Sequence, residues 1–220
     1  MKEKQEKKMS AWDYLGLALY AFLGLGLEMV LIGVEQAIYN SSLSEYTEWQ
    51  NNLHWIATCM VWGIFAYVLY RVSKQKYGFD YMKKVTMPSK KSIILAVILT
   101  IAGIIEMTIS WGGFKPYIEF AGKTPSMFLF QYLYYIFETS LFVLIVIFGQ
   151  KFGEEKFKNK WIPYGGIVLS LTWGLVHIWT QGIATGIETV VFSIVFGIIY
   201  LCVKKSAKLT YFFCACIFLL

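Results

Sequence analysis

Residues 126–149, SMFLFQYLYYIFETSLFVLIVIFG, decide the fold class of this 220-residue chain. The stretch contains one carboxylic acid, Glu138, and neither lysine nor arginine. The hydrocarbon core of a bilayer is about 30 Å thick, and a helix of about 20 apolar residues crosses it. Residues 126–149 are therefore long enough and apolar enough to form a transmembrane helix.

The rest of the chain repeats this pattern. Hydrophobic residues make up 57% of the sequence and charged residues 15%, whereas a soluble domain carries about a quarter of charged residues. The further predicted spans are 14–38, 53–71, 92–113, 162–181 and 183–203. We therefore predict an all-α, polytopic transmembrane helical bundle of six full spans, forming one domain over residues 1–220. The apolar stretch from Leu209 to the end is short and predicts a partial seventh span or an interfacial helix.

The first apolar stretch follows a charged tail, residues 1–10. A secretory signal peptide would have a short apolar region that ends in a small-x-small cleavage site. The apolar region here continues to residue 38 without such a site. We therefore expect a first span that is retained.

Positive charge alternates along the loops. Lysines and arginine crowd the loops after the second, fourth and sixth predicted spans, the loop after the first has none, and the loop after the third has only Lys115 and Lys123. Cytoplasmic loops of membrane proteins are rich in lysine and arginine. This predicts a multi-pass protein of the cell membrane with a cytoplasmic N-terminus. The net charge of +6 then reflects attraction to anionic membrane lipid, and we expect no binding to nucleic acid.

Carboxylic acids interrupt the predicted spans. Ionisable side chains inside a membrane are costly and usually face the interior of the bundle. The intramembrane glutamates are Glu28, Glu35, Glu106, Glu138 and Glu188, accompanied by His177 and, near a span edge, His54. Glu28 and Glu35 lie seven residues apart and so share one face of the first predicted span, and Gly26 and Gly33 repeat at the same interval. This spacing predicts a packing seam of small residues with glutamates hydrogen-bonded to their neighbours.

Three polar stripes at helical spacing are expected to meet in a common polar interior. They comprise Gly103, Glu106, Ser110 and Gly113; Gln131, Tyr134, Glu138 and Phe142; and Gly166, Ser170, Gly174, His177 and Gln181. Glu138 and His177 should lie about one helical turn apart along the membrane normal. The carboxylate could then take a proton from water while the imidazole stabilises the developing charge. The alternative is a buried hydrogen-bonded pair that only fixes helix packing.

The segment from residue 138 to about residue 200 resembles the CAAX-protease and bacteriocin-processing family of intramembrane endopeptidases. The stretch FETSLFVLIVIFGQKFGEE resembles the glutamate motif, and Trp173-Gly-Leu-Val-His177 resembles the F-x-x-x-H motif that follows a basic loop. GIIYLCVKKSAKLT resembles a region before the final helix, and KYGFD at 76–80 resembles a cytoplasmic motif. The resemblance implies a peptidase-like core at 138–200, with Glu138 and His177 as its catalytic residues.

The chain departs from the family pattern at several positions. Thr139 replaces the second glutamate, Val143 stands at the arginine position, and the last helix has no His, Asn or Asp. Zinc would have at most Glu138 and His177 as ligands, fewer than the three protein ligands of a catalytic site, so we expect no cofactor. The resemblance therefore implies a degenerate member, either an atypical hydrolase or a catalytically impaired protein that binds a peptide.

Three functions remain open from the sequence. The first is an intramembrane peptidase-like protein that acts on a peptide or a prenylated protein. The second is a small membrane transporter or substrate-binding subunit, since intramembrane glutamates recur in proton and cation pathways. The third is a non-catalytic bacteriocin-immunity or scaffold protein that holds a partner.

Overall fold

A computed structural model describes residues 10–220, and every regular element in that range is helical. The helices are α1 Ala11–Tyr39, α2 Glu48–Gln75, α3 Lys90–Ser110, α4 Lys115–Ala121, α5 Pro125–Phe157, α6 Tyr164–Leu169, α7 Leu175–Gln181, α8 Ile183–Cys202 and α9 Ala207–Leu219. A 3₁₀ turn, Leu43–Glu45, lies between α1 and α2, and a π-helical turn, Ser170–Gly174, joins α6 to α7. The predicted charged tail lies, apart from Ser10, outside the described residues.

Five of these helical segments are long and apolar enough to cross a membrane. They are α1, α2, the α3–α4 segment Lys90–Ala121, α5 and α8. Helix α3 turns a row of large apolar side chains outward, namely Ile94, Ile98, Ile101, Ile105 and Ile109. The all-α, membrane-embedded character predicted from the sequence is thus confirmed. The stretch 162–181, predicted as one span, is divided by the π-helical turn, and α9 has 13 residues.

Polar side chains define where the first two helices begin. Ser10 and Asp13 form a reciprocal capping box at the start of α1. Thr47 and Gln50 form the same motif at the start of α2. Each pair satisfies backbone N–H groups that the first helical turn leaves without an intrahelical partner.

Helix α5 is the centre of the bundle. It packs against α1, α2, α6, α8 and α9. From Leu141 to Gln150 every residue is buried, because this part of the helix is apolar on all sides and neighbours cover each face. The helix continues to Phe157, beyond the predicted end at residue 149, and so carries the lysine-rich segment that follows.

Glycines bring α6 into backbone contact with α8. A Cβ on Gly166 would lie 2.6 Å from the carbonyl oxygen of Ser193, and a Cβ on Gly197 would lie 2.6 Å from the backbone nitrogen of Gly166. Ser170 also donates a hydrogen bond to the carbonyl of Val190 in α8. This end of the predicted Gly166–Gln181 stripe therefore faces α8, not a polar interior.

The predicted small-residue seam on α1 is wrong at its glycines. No neighbouring atom lies within 4 Å of a Cβ built on Gly26 or on Gly33. The close approach occurs at Gly24, where a Cβ would lie 2.5 Å from the ring of Phe65 in α2. The α1–α2 contact is set by this aromatic ring, because the faces that carry Gly26 and Gly33 turn away from the neighbouring helices.

Candidate functional site

A cavity of about 390 Å³ lies among the ends of several helices. Its polar lining residues include Glu28, Asn51, His54, Lys115, Gln131, Tyr134, Tyr135, Glu138, His177, Gln181, Thr185 and Glu188. They come from the last part of α1 and α7, the first part of α2, α5 and α8, and from α4. These ends lie opposite the lysine-rich loops that follow α2, α5 and α8, since successive long helices alternate in direction.

Glu138 is held in this cavity by Trp173. The indole Nε1–H of Trp173 donates a hydrogen bond of 3.0 Å to Glu138 Oε1. The Trp173 ring also packs on Phe142, with 5.2 Å between the ring centroids. Glu138 is 9% exposed, and the Trp173 indole donates the one hydrogen bond that its carboxyl group accepts among the described residues.

His177 is positioned by the same tryptophan through its backbone. His177 Nδ1 lies 2.7 Å from the carbonyl oxygen of Trp173. A carbonyl only accepts, so Nδ1 carries the hydrogen, and Nε2 of the neutral ring keeps its lone pair. The π-helical turn Ser170–Gly174 directly precedes this segment, and such turns break the regular helical hydrogen-bond ladder. Neutral His177 therefore accepts a proton at Nε2, and it donates to a developing charge only as the imidazolium.

A second histidine bridges two of the predicted glutamates. His54 Nδ1 lies 2.7 Å from Glu35 Oε2, and His54 Nε2 lies 3.3 Å from Glu28 Oε1. Tyr134 donates to Glu28 at 3.0 Å from the other side. His54 is 2% exposed. Glu28 and Glu35 therefore share one face of α1, as predicted, and that face binds a histidine of α2.

Lys115 places a buried cation on the cavity wall. It is 3% exposed, and its Nζ donates a hydrogen bond of 2.6 Å to the carbonyl of Phe218 near the end of α9. The ammonium also lies 4.5 Å from the ring centroid of Tyr135 and 4.9 Å from that of Phe218, where aromatic faces attract a cation. Lys115 and Glu138 interact electrostatically.

The carboxyl group of Glu119 in α4 organises the adjacent wall. Gln131, Tyr135 and Lys123 all donate to Glu119 Oε1. Gln131 lines the cavity, and its buried Oε1 has no hydrogen-bond partner among the described residues. The amide oxygen of Gln131 is therefore an unsatisfied, buried acceptor in a residue of the cavity wall.

Glu106 and Glu188 meet between α3 and α8. Their carboxyl groups interact directly, and Ser110 donates a hydrogen bond of 3.1 Å to Glu188 Oε2. Glu188 lines the cavity, whereas Glu106 is exposed. Glu106 and Ser110 thus lie on an exposed face of α3 and do not turn into the common interior expected for their stripe.

The structure brings together most of the residues that the sequence indicated. Glu28, Glu138, His177 and Glu188 line the same cavity. Glu35 reaches it through His54, whereas Glu106 lies outside it and is exposed. The predicted convergence of the polar stripes is therefore seen for Gln131, Tyr134, Glu138, His177 and Gln181.

Two residues of the site were not identified from the sequence. The sequence pattern assigns Lys115 to a loop. No local pattern distinguishes a loop lysine from one that folds back into the bundle. The pattern marks His54 only as a span-edge residue. The spacing of Glu28 and Glu35, opposite a histidine on the next helix, was a signal for that contact.

Metal binding was assessed from the described residues. Within residues 10–220, no three His, Cys, Asp or Glu side chains are grouped as ligands of one metal ion would be. Glu138 and His177 each bond to Trp173 instead. The expectation that zinc has too few ligands rests on the sequence, which offers only Glu138 and His177 at this site.

Comparison of the chain with protein-family models, with curated proteins and with solved structures finds no match.

Proposed function

We propose that this chain is an intramembrane peptidase-like protein that binds a peptide segment in the cavity and hydrolyses it. The observation that carries the proposal is that Glu138, His177 and Lys115 line one cavity. A base, a second proton acceptor and a buried cation are the groups that the addition of water to an amide requires. The resemblance of residues 138–200 to the CAAX-protease and bacteriocin-processing family points to the same chemistry.

The proposed roles follow from the contacts of each group. Glu138 takes a proton from water, and the resulting hydroxide oxygen attacks the peptide carbonyl carbon. Lys115 stabilises the negative charge that develops on the carbonyl oxygen. Because the Trp173 carbonyl holds the hydrogen on Nδ1, Nε2 of neutral His177 accepts a hydrogen bond from the attacking water and orients it. This role replaces the stabilisation of developing charge that the sequence suggested. The proton on Glu138 then passes to the leaving amine as the C–N bond breaks.

Peptide binding is supported by acceptors and apolar surface in the same cavity. A peptide N–H would satisfy Gln131 Oε1, which has no hydrogen-bond partner among the described residues. Apolar side chains of Met107, Phe192, Phe196 and Ile217 also line the wall. The cavity volume of about 390 Å³ lies within the range of about 300–1,000 Å³ that is typical of ligand sites.

The proposed topology has six spans and a cytoplasmic N-terminus in the cell membrane. Five spans are the long apolar segments, and α6, the π-helical turn and α7 together form the sixth. Helix α9 starts at the lysine-rich end and reaches the cavity with Phe218. Its 13 residues span about 20 Å, so it enters the bundle without crossing the hydrocarbon core of about 30 Å. The cavity then faces the non-cytoplasmic side.

Cleavage by purified protein tests the proposal. Fluorogenic leader-type peptides and a prenylated peptide are incubated with the wild type, Glu138→Gln and His177→Gln in detergent. General acid–base groups contribute about 10²- to 10⁴-fold to rate, so we expect each variant to lose at least about 100-fold in kcat/KM.

Glu155→Gln is the matched control, because it makes the same change in the same helix at the opposite end of the bundle. Its rate should equal that of the wild type. Equal cleavage by the wild type and Glu138→Gln, or peptide binding without cleavage, would contradict the hydrolytic role and leave a peptide-binding or immunity protein.

One observation favours the alternative of a proton-coupled transporter or substrate-binding subunit. Glu35, His54, Glu28 and Tyr134 form a continuous hydrogen-bonded chain that ends at the cavity. Such chains carry protons in membrane transporters. Proteoliposomes with a pH-sensitive dye inside would show substrate-dependent proton flux that His54→Phe abolishes. Flux unchanged by this substitution would remove the alternative.

A further inference from the structure

A second cavity lies at the opposite end of the bundle from the candidate site. Its volume is about 650 Å³, and seven lysines and three carboxylic acids line it. These are Lys83, Lys84, Lys151, Lys158, Lys160, Lys204 and Lys205, with Asp80, Glu154 and Glu155. They come from the loop after α2, from α5 and the loop after it, and from the turn before α9. Folding therefore gathers the three basic segments around one space, here called the lysine pocket.

The carboxylates of the lysine pocket are already engaged. Lys205 pairs with Glu154 at 2.5 Å, and Glu155 lies 3.4 Å from Lys151 and 3.4 Å from Lys158. Asp80 pairs with Lys74 at 2.8 Å.

The remaining lysines of the pocket are Lys83, Lys84, Lys160 and Lys204. None of them has an ion pair among the described residues. The lysine pocket therefore has an excess of positive charge that its own carboxylates do not offset, which favours an anionic ligand.

A tyrosine hydroxyl without a partner among the described residues provides a separate indication of a ligand. Tyr200 lines the lysine pocket and is 3% exposed. No hydrogen bond from its hydroxyl to another described residue occurs. This hydroxyl is therefore a donor available to an oxyanion in the pocket.

An apolar groove adjoins the lysine pocket. It has a volume of about 300 Å³ and lies between α2, α5 and α9, lined by Ala66, Val143, Leu144, Ile147, Ala207 and Tyr211 among others. Tyr81 lines both the groove and the lysine pocket. The lysine pocket and the apolar groove therefore meet at Tyr81.

We propose that the lysine pocket and the groove form a binding site for an anionic glycerophospholipid. The phosphate lies among Lys83, Lys84 and Lys204, within reach of the Tyr200 hydroxyl, and an acyl chain lies in the groove. A free phosphate would use only the first space, whereas a phospholipid uses both. The predicted orientation places this end at the cytoplasmic leaflet, where anionic lipids attract clustered lysines.

Lipid titration followed by native mass spectrometry tests this site. The purified full chain in neutral detergent is titrated with dioleoyl-phosphatidylglycerol, with dioleoyl-phosphatidylcholine, and with sn-glycerol 3-phosphate, which lacks acyl chains. Each lysine near an anionic lipid strengthens binding several-fold. We therefore expect the anionic lipid to bind at least about tenfold more tightly than the zwitterionic one, and glycerol phosphate to bind far more weakly than either.

A triple variant and a matched control make the test specific. Lys83→Gln, Lys84→Gln and Lys204→Gln together should remove the preference for the anionic lipid. Lys76→Gln, Lys90→Gln and Lys91→Gln change the charge equally at the same end, outside the lysine pocket, and should retain it. Equal loss in both triple variants, no preference in the wild type, or equal affinity for glycerol phosphate would overturn the proposal.

Discussion

At the scale of the residue, Trp173 connects the two groups that the sequence marks as catalytic. Its indole donates to Glu138, its carbonyl accepts from His177, and its ring packs on Phe142. The resemblance to the F-x-x-x-H motif places an aromatic residue here, but phenylalanine has no N–H to donate. The tryptophan therefore supplies a bond to the glutamate in a chain that lacks the arginine of the family motif.

Replacing Trp173 by phenylalanine separates these contributions. Trp173→Phe keeps an aromatic ring against Phe142 and removes the donor to a buried carboxyl group. A buried polar group left without its partner costs about 1–3 kcal/mol, so the free energy of unfolding in detergent should fall by that amount. Trp179→Phe is the control, because Trp179 is 80% exposed and its replacement should change stability little. Equal losses in the two variants would contradict the structural role of the Trp173 indole.

At the scale of the element, packing depends on where a helix approaches its neighbour most closely. The sequence offers many glycines at helical spacing, and their spacing alone does not tell which of them lie at a contact. Gly166 faces the backbone of α8, whereas Gly33 faces no neighbour within 4 Å. The difference comes from the rotation of each helix about its axis, which the whole set of tertiary contacts determines.

Alanine substitutions at these two glycines should have opposite effects. The Cβ of Gly166→Ala would lie 2.6 Å from a backbone oxygen, and the backbone cannot yield as a flexible side chain can. We expect the free energy of unfolding to fall by about 1–3 kcal/mol. Gly33→Ala should leave it unchanged or raise it by up to about 1 kcal/mol, since alanine favours helix over glycine. Unfolding titrations of both variants measure this, and a neutral Gly166→Ala would refute the close contact.

The loop after α2 contains a pH-dependent contact. A hydrogen bond from the Lys74 ammonium holds the pKa of the Asp80 carboxyl below its usual value. The folded state therefore favours the charged carboxylate. This stabilising contribution is complete above the ordinary aspartate pKa of about 4 and is lost as the pH falls through the lowered value.

Melting temperatures of the wild type and Asp80→Asn, measured from pH 7 down to pH 3, check this contact. The wild type should melt higher at neutral pH, and the gap should narrow progressively below about pH 4 as the pH approaches the lowered pKa of Asp80. In a Lys74→Gln background the Asp80→Asn effect should shrink at every pH. A gap that stays constant down to pH 3 would mean that the ion pair does not carry the difference.

At the scale of the whole molecule, the bundle has two chemically different ends. One end holds the cavity with Glu138 and His177, and the other holds the lysine pocket. The three lysine-rich loops are far apart in sequence and meet at one end, because the long helices alternate in direction. This separation supports the orientation proposed from the loop charges.

Site-directed labelling tests that orientation. Ser44→Cys lies in the exposed loop after α1, and Met87→Cys lies at the lysine-rich end, where Met87 is 75% exposed. A membrane-impermeant maleimide should label Ser44→Cys in intact cells and Met87→Cys only after permeabilisation. The wild type, with its four native cysteines, gives the background. The reverse pattern would place the cavity in the cytoplasm.

The sequence alone determined the all-α membrane class, because long apolar stretches have few other stable solutions in lipid. It also indicated Glu28, Glu35, Glu138, Glu188 and His177, since charged groups in such stretches usually turn toward the interior, although Glu106 is exposed. Only the tertiary structure decided the partners. Lys115 enters the wall from the short helix α4, His54 of α2 contacts two carboxyl groups of α1, and the Trp173 carbonyl sets the tautomer of His177. These contacts depend on how each helix is rotated about its axis and on which distant segments fold next to one another. The local periodicity of the sequence does not determine either property.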